Sequence, residues 1–188
     1  MHDYAGLGGR IFASHWHQIW LDRGPHPFPE VASFVDEDDI NDITANVETS
    51  FPKGQALSEW LVNVGASSQP GRIALTGTQH TILTENPMYA QRWISTDSPQ
   101  TVQYLSANTP LGAPASEQCG RVVLSDIHVT GSAVEGRDVS SDDTAFPEGC
   151  TTTDLSPQEK VLAYMLFDIS GCVTPDNQPP VPPPIIVR

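Results

Sequence analysis

Apolar and polar positions alternate along this chain in two rhythms, one helical and one strand-like. From Phe51 to Val64 the apolar residues Ala56, Leu57, Trp60, Leu61 and Val64 recur at helical spacing, with Pro52 in the first turn and Gly65 as the stop. A second helix opens at Ser156-Pro157-Gln158-Glu159, which combines an N-cap serine, a proline at the first helical position and a capping-box glutamate. Val161, Leu162, Met165, Leu166 and Ile169 give it an apolar face that ends at Gly171. Both faces, and Trp60 with them, read as core. Met1 to Leu7 resembles the end of an amphipathic helix stopped by Gly8 and Gly9, with a core strand over Arg10 to Ser14 directly after. A short helix or elbow is expected from His15 to Leu21.

Strand-like runs follow at Arg72–Leu75, His80–Leu83, Gln91–Ile94 and Val102–Ser106, separated by turn residues such as Asn86-Pro87 and Ser98-Pro99. Arg121 to Ser125 encloses a continuous apolar run, Val122-Val123-Leu124, as in a buried parallel strand. The prolines between Gly24 and Pro29 require an extended loop. Asp36-Glu37-Asp38-Asp39 lacks the glycine and spaced oxygens of a calcium loop, and a solvated acidic turn is expected there. Gly131 to Gly149 is polar and aperiodic, a long loop that is either a lid or a surface insertion. From Pro175 the chain turns polyproline-like, which favours a spacer over a docking ligand because no aromatic or basic anchor accompanies it.

A length of 188 residues suits one domain with a sizeable core. The formal charge of -14, with only nine scattered Lys and Arg, argues against nucleic acid and anionic membrane surfaces as partners. No apolar run approaches the roughly 20 residues that span a bilayer, so no transmembrane segment is expected. The first five residues lack the basic start and apolar stretch of a signal peptide. Even so, low lysine content, Ser/Thr/Pro-rich loops and the proline-rich end favour an exported protein. Cys119, Cys150 and Cys172 show no CxxC spacing, against structural zinc. One disulfide plus an orphan, or three buried thiols, are both open.

Candidate chemistry concentrates in two similar clusters. Gly9-Arg10-Ile11-Phe12-Ala13-Ser14-His15-Trp16-His17 and Gly120-Arg121-Val122-Val123-Leu124-Ser125-Asp126-Ile127-His128 each begin with Gly-Arg, pass through apolar residues and end in Ser with imidazole or carboxylate groups. In open α/β sheets the carboxyl ends of strands carry the ligand site. His15 and His17 stand two apart, as do Asp126 and His128, so each pair would share one face of an extended backbone. If the two strands are neighbours, His15, His17 and His128 become metal ligands suited to zinc or iron, and Asp126 a ligand or base. Structural histidines are the competing reading. Ser14 and Trp16 are candidate ligand contacts. Trp16 and Trp20 offer surface for a sugar ring, although tryptophans four apart on a helix usually pack inwards. No Gly-x-Ser-x-Gly elbow surrounds Ser14 or Ser125, and no Gly-rich phosphate loop is present.

The two clusters and the capped last helix together resemble the class I glutamine amidotransferase-like fold, closest to its trehalose-utilisation (ThuA-like) branch in large exported bacterial proteins. Gly8 to His15 looks like the strand and elbow carrying the amidotransferase cysteine, Gly120 to His128 like the strand delivering the family histidine, at His128, and Ser156 to Ile169 like the closing helix. The elbow here reads Ser14-His15-Trp16 where an amidotransferase needs cysteine, so glutamine hydrolysis is not implied. The resemblance implies an α/β domain over residues 1–173, a mainly parallel flavodoxin-like sheet flanked by helices. It further implies that N-terminal elements are missing and that residues 24–115 form an insertion. A proline-rich tail or linker would occupy 174–188. The implied role is a catalytically degenerate domain that binds or scaffolds a protein or small-molecule partner. The alternative is a metal-dependent hydrolase or lyase acting on a small, carbohydrate-like substrate through Asp126 and His128.

Overall fold

The computed structural model describes residues 1–129 and 154–179. The expected loop Gly131–Gly149, Cys150 and the end of the polyproline segment lie outside them.

The architecture is dominated by β structure. Among the described residues eight strands run in chain order: β1 (Arg10–Ser14), β2 (Ala32–Ile40), β3 (Ile43–Val47), β4 (Arg72–Leu75), β5 (Thr78–Glu85), β6 (Gln91–Asp97), β7 (Gln100–Thr109) and β8 (Gly120–Ser125). Six of them form one sheet in the order β1-β8-β7-β6-β3-β4, and β2 pairs with β5 in a second sheet. Only β1 and β8 are parallel; the other pairs are antiparallel.

The expected mainly parallel, flavodoxin-like and amidotransferase-like α/β sheet is therefore corrected to a mixed, largely antiparallel one. The reason lies in the connections. Parallel neighbours need a crossover of a dozen or more residues, whereas β6 turns into β7 across Ser98 and Pro99 alone. The segment read as an insertion supplies β2 to β7 and so most of both sheets. A second correction falls in the same stretch: Asp36 to Asp39 belongs to β2, not to a turn. This strand pairs on one side with β5 and carries its charges outwards, as an exposed edge commonly does.

Helices α1 (His2–Gly6), α2 (Ile19–Asp22), α3 (Pro52–Asn63) and α4 (Pro157–Ser170) cover the main sheet. On the face of α3 and α4, Leu57, Leu61, Val161, Met165 and Ile169 pack with Val47, Ile73, Trp93, Tyr104 and Val123, and Trp60 joins them half-buried. The opposite face packs Ile11, Ala13, Leu105, Val122 and Leu124 against Ala5 of α1, Leu21 of α2 and Ile82 of β5. Strand β8 thus sends Val123 to one core and Val122 and Leu124 to the other, the period of two expected of a central strand. Gly120 begins this strand where α1 crosses it; a Cβ there would collide with the Ala5 carbonyl and the Thr109 hydroxyl.

The start of α4 forms as its sequence dictates. The Glu159 backbone N–H donates to the Ser156 hydroxyl at 3.2 Å, and the Ser156 N–H donates to the Glu159 carboxylate at 2.6 Å. Among the described residues no helix is long and apolar enough to cross a membrane.

Candidate functional site

The two Gly-Arg clusters do lie side by side. β1 and β8 pair in parallel from Arg10 opposite Arg121 to Ser14 opposite Ser125, so both clusters emerge at the same end of the sheet. There the chain leaves β1 through His15, whose φ of 53° is left-handed, and enters a short 3-10 turn over His15–Gln18 that leads into α2. This turn brings the half-buried His15 ring onto the His128 ring, 5.6 Å between centroids and edge to face. Trp16 stacks on His15 with 5.3 Å between ring centroids.

His17 is turned away from that pair. Its Nδ1 lies 2.7 Å from the Ser14 carbonyl oxygen, and its ring tilts against Trp20 at 5.1 Å. Asp126 points inwards and is only 1% exposed. One carboxylate oxygen accepts the Thr81 hydroxyl at 2.7 Å; the other accepts the backbone N–H groups of Thr81 at 2.7 Å and Ile82 at 3.2 Å. Its main chain extends the same link, donating to the Gln103 carbonyl and accepting from the Gln79 N–H. Asp126 therefore fastens β5 to the end of β8. Burial pushes its pKa up to about 6, against the Thr81 and Ile82 hydrogen bonds and the nearby His80, which favour the charged form.

Zinc or iron held by His15, His17 and His128 requires three protein ligands converging on one point. Of these imidazoles only His15 and His128 meet, and no group of three or more His, Cys, Asp or Glu side chains is gathered among the described residues. The donor set does not fit such a centre.

The tryptophans depart from the inward packing expected of their spacing. Trp16 is 60% and Trp20 52% exposed, with Ile19 between them also exposed. The turn after β1 is too short to present a continuous helical face to the core, and of its apolar residues only Leu21 is buried. A shallow depression beside Trp20 is completed by Met1, His2, Ile19, Arg23 and Pro25.

A second polar constellation, which no motif marks, is centred on Arg121. Arg121, 1% exposed, lies between the sheet and the end of α4. Its Nε donates to Asp168 at 2.7 Å, and its two terminal nitrogens fork onto the Asp176 carboxylate at 2.9 and 3.3 Å. Asn108 and Ser106 on β7 accept from the same guanidinium, which also lies 5.8 Å from the Trp93 ring centre. Buried Lys53 of α3 donates to Asp176 at 3.2 Å and to the Thr174 carbonyl at 3.0 Å. Burial opposes the charge on Arg121, yet Asp176 and Asp168 more than offset it and hold the guanidinium protonated. The Tyr104 hydroxyl is buried beside them without a hydrogen-bond partner among the described residues, and burial together with the Asp168 charge drives its pKa well up.

One signal of this network was present in the sequence. An arginine opening an otherwise apolar strand must find partners, and Asp168 falls among the core-facing positions of α4 with Tyr164 and Met165. Asp176 gave no such signal, because it sits in the segment that reads as a tail.

No family model, curated protein or solved structure matches the chain.

Proposed function

We propose that this chain is a non-catalytic binding domain whose ligand surface is the Trp16–Trp20 turn at the carboxyl ends of β1 and β8, and that its ligand is a carbohydrate. The observation that carries this reading is the exposure of Trp16 and Trp20 in a protein that buries Trp93 completely. An exposed indole leaves a large apolar plane in water, and the CH-rich face of a sugar ring covers such a plane well. His15, His17 and Arg23 around the turn supply hydrogen bonds for hydroxyl groups. Catalysis is disfavoured by the state of Asp126, whose oxygens already accept three hydrogen bonds and which makes none with an imidazole. Sparse lysine and Ser/Thr/Pro-rich loops suit an exported setting for a domain of this kind.

The test is retention on a panel of insoluble polysaccharides, followed by tryptophan fluorescence with soluble fragments of any that retain it. Retention that is lost in a folded Trp16→Ala/Trp20→Ala variant supports the reading. Absence of retention on every polysaccharide, or retention unchanged in the variant, overturns it.

A further inference from the structure

We infer that Arg121, Lys53 and Ser106 form a carboxylate-binding site, that Asp176 is its built-in occupant, and that a small external carboxylate can take the place of Asp176. The site is built for this group. Arg121 presents two nitrogens to the two Asp176 oxygens, the fork geometry that matches a carboxylate. Lys53 adds a third charged donor at 3.2 Å, and the Ser106 hydroxyl a neutral one at 3.3 Å. The donors are themselves held in place: Asp168 and Asn108 orient the guanidinium, and the Trp93 indole N–H donates to Ser106 at 2.8 Å. With Asp176 withdrawn, Arg121 and Lys53 face Asp168 alone, so the site keeps one net positive charge. The fully buried Tyr104 hydroxyl, without a partner among the described residues, is a further polar group on this face of β7.

The occupant is held less firmly than the site. Asp176 belongs to the strap that follows α4, residues 171–179, in which no residue joins either apolar core, although the Asp176 side chain itself is only 11% exposed. Its long-range anchors are polar: Arg10 to the Gly171 carbonyl, Lys53 and Asn108 to the Thr174 carbonyl, and the Asp176 carboxylate itself. A segment fixed by few polar contacts opens more readily than a core element. Tethering gives Asp176 a high effective concentration, so an external carboxylate binds visibly only when the internal one is gone.

Asp176→Ala in the full chain isolates the site, and formate is the probe because it has the size of the missing group. The midpoint of thermal unfolding is followed by circular dichroism during formate titration, with chloride at matched ionic strength as the control. The expected result is a saturable rise in Tm for Asp176→Ala that recovers most of what the substitution lost. The native chain should show no saturable rise over the same range. Should the variant be unfolded in chloride, formate is expected to restore its folded spectrum. A variant that responds to formate as it does to chloride, or no more than the native chain responds, overturns the inference.

Discussion

Arg10 and Arg121 are register partners on the parallel strands β1 and β8, and both reach the C-terminal end of α4. Arg10 donates to the Gly171 carbonyl at 3.2 Å and Arg121 to the Asp168 carboxylate at 2.7 Å. The repeated Gly-Arg that marks both clusters thus fastens one helix to one edge of the sheet, and cations at a helix C-terminus are favourably placed. The two bonds differ in consequence. Arg10 also serves the Cys119 carbonyl at a partly exposed position, so Arg10→Ala should cost only about 1 kcal/mol. Arg121→Ala leaves the largely buried carboxylates of Asp168 and Asp176 to share Lys53 and should cost about 3–5 kcal/mol. Urea unfolding of the two variants measures the difference, and equal losses would contradict this assignment.

Asp126 makes stability depend on pH. Its folded pKa of about 6 lies above the ordinary value of 3.8, so the folded state holds the proton more tightly than the unfolded chain. The stabilisation is complete below pH of about 4 and is lost as pH rises through about 6, roughly 3 kcal/mol in all. Asp126→Asn should remove this slope. An amide can accept both backbone N–H groups with its oxygen and donate to the Thr81 hydroxyl, so the fold should survive. Denaturation midpoints measured from pH 4 to 8 decide it: a variant curve parallel to that of the native chain would show that Asp126 does not titrate in this way.

The tryptophans divide into two kinds. Trp93 stacks on Tyr104 at 4.9 Å, meets Phe51 edge-on at 5.0 Å and donates to Ser106, so Trp93→Ala should destabilise by about 3–5 kcal/mol. Trp16→Ala and Trp20→Ala remove exposed rings and should each change stability by less than about 1 kcal/mol. Thermal unfolding of the three variants checks both statements at once. A large loss from either exposed tryptophan would make the turn structural and remove the basis for a ligand there.

The N-terminal cap of α4 offers a calibrated case. Ser156→Ala deletes the hydroxyl that receives the Glu159 N–H and should cost about 1 kcal/mol. Because this helix carries Asp168, loosening it should also weaken the hold on Arg121, which hydrogen exchange at the Arg121 Nε–H would report as faster opening.

The sequence alone determined the elements that depend on near neighbours. Pro52 and the apolar spacing of Leu57 and Leu61 define α3, and Ser156-Pro157 with Glu159 defines the start of α4. The β1 and β8 strands were legible from their apolar runs, with the polar clusters at their ends. What only the tertiary structure decided was pairing across long separations. Period-two alternation gives a strand its faces but not its neighbour or direction, so it left open whether β8 lies between the parallel β1 and the antiparallel β7. The chemistry followed the same division. His15 and His128 came together because their strands are adjacent, while Asp126 faced inwards because β5 brought Thr81 and Ile82 to it. Arg121 found its counter-charges 47 and 55 residues away, at Asp168 and Asp176. A buried charge demands a partner, and local sequence shows the demand; only the folded chain, which excludes water from that space, selects which distant carboxylate answers it.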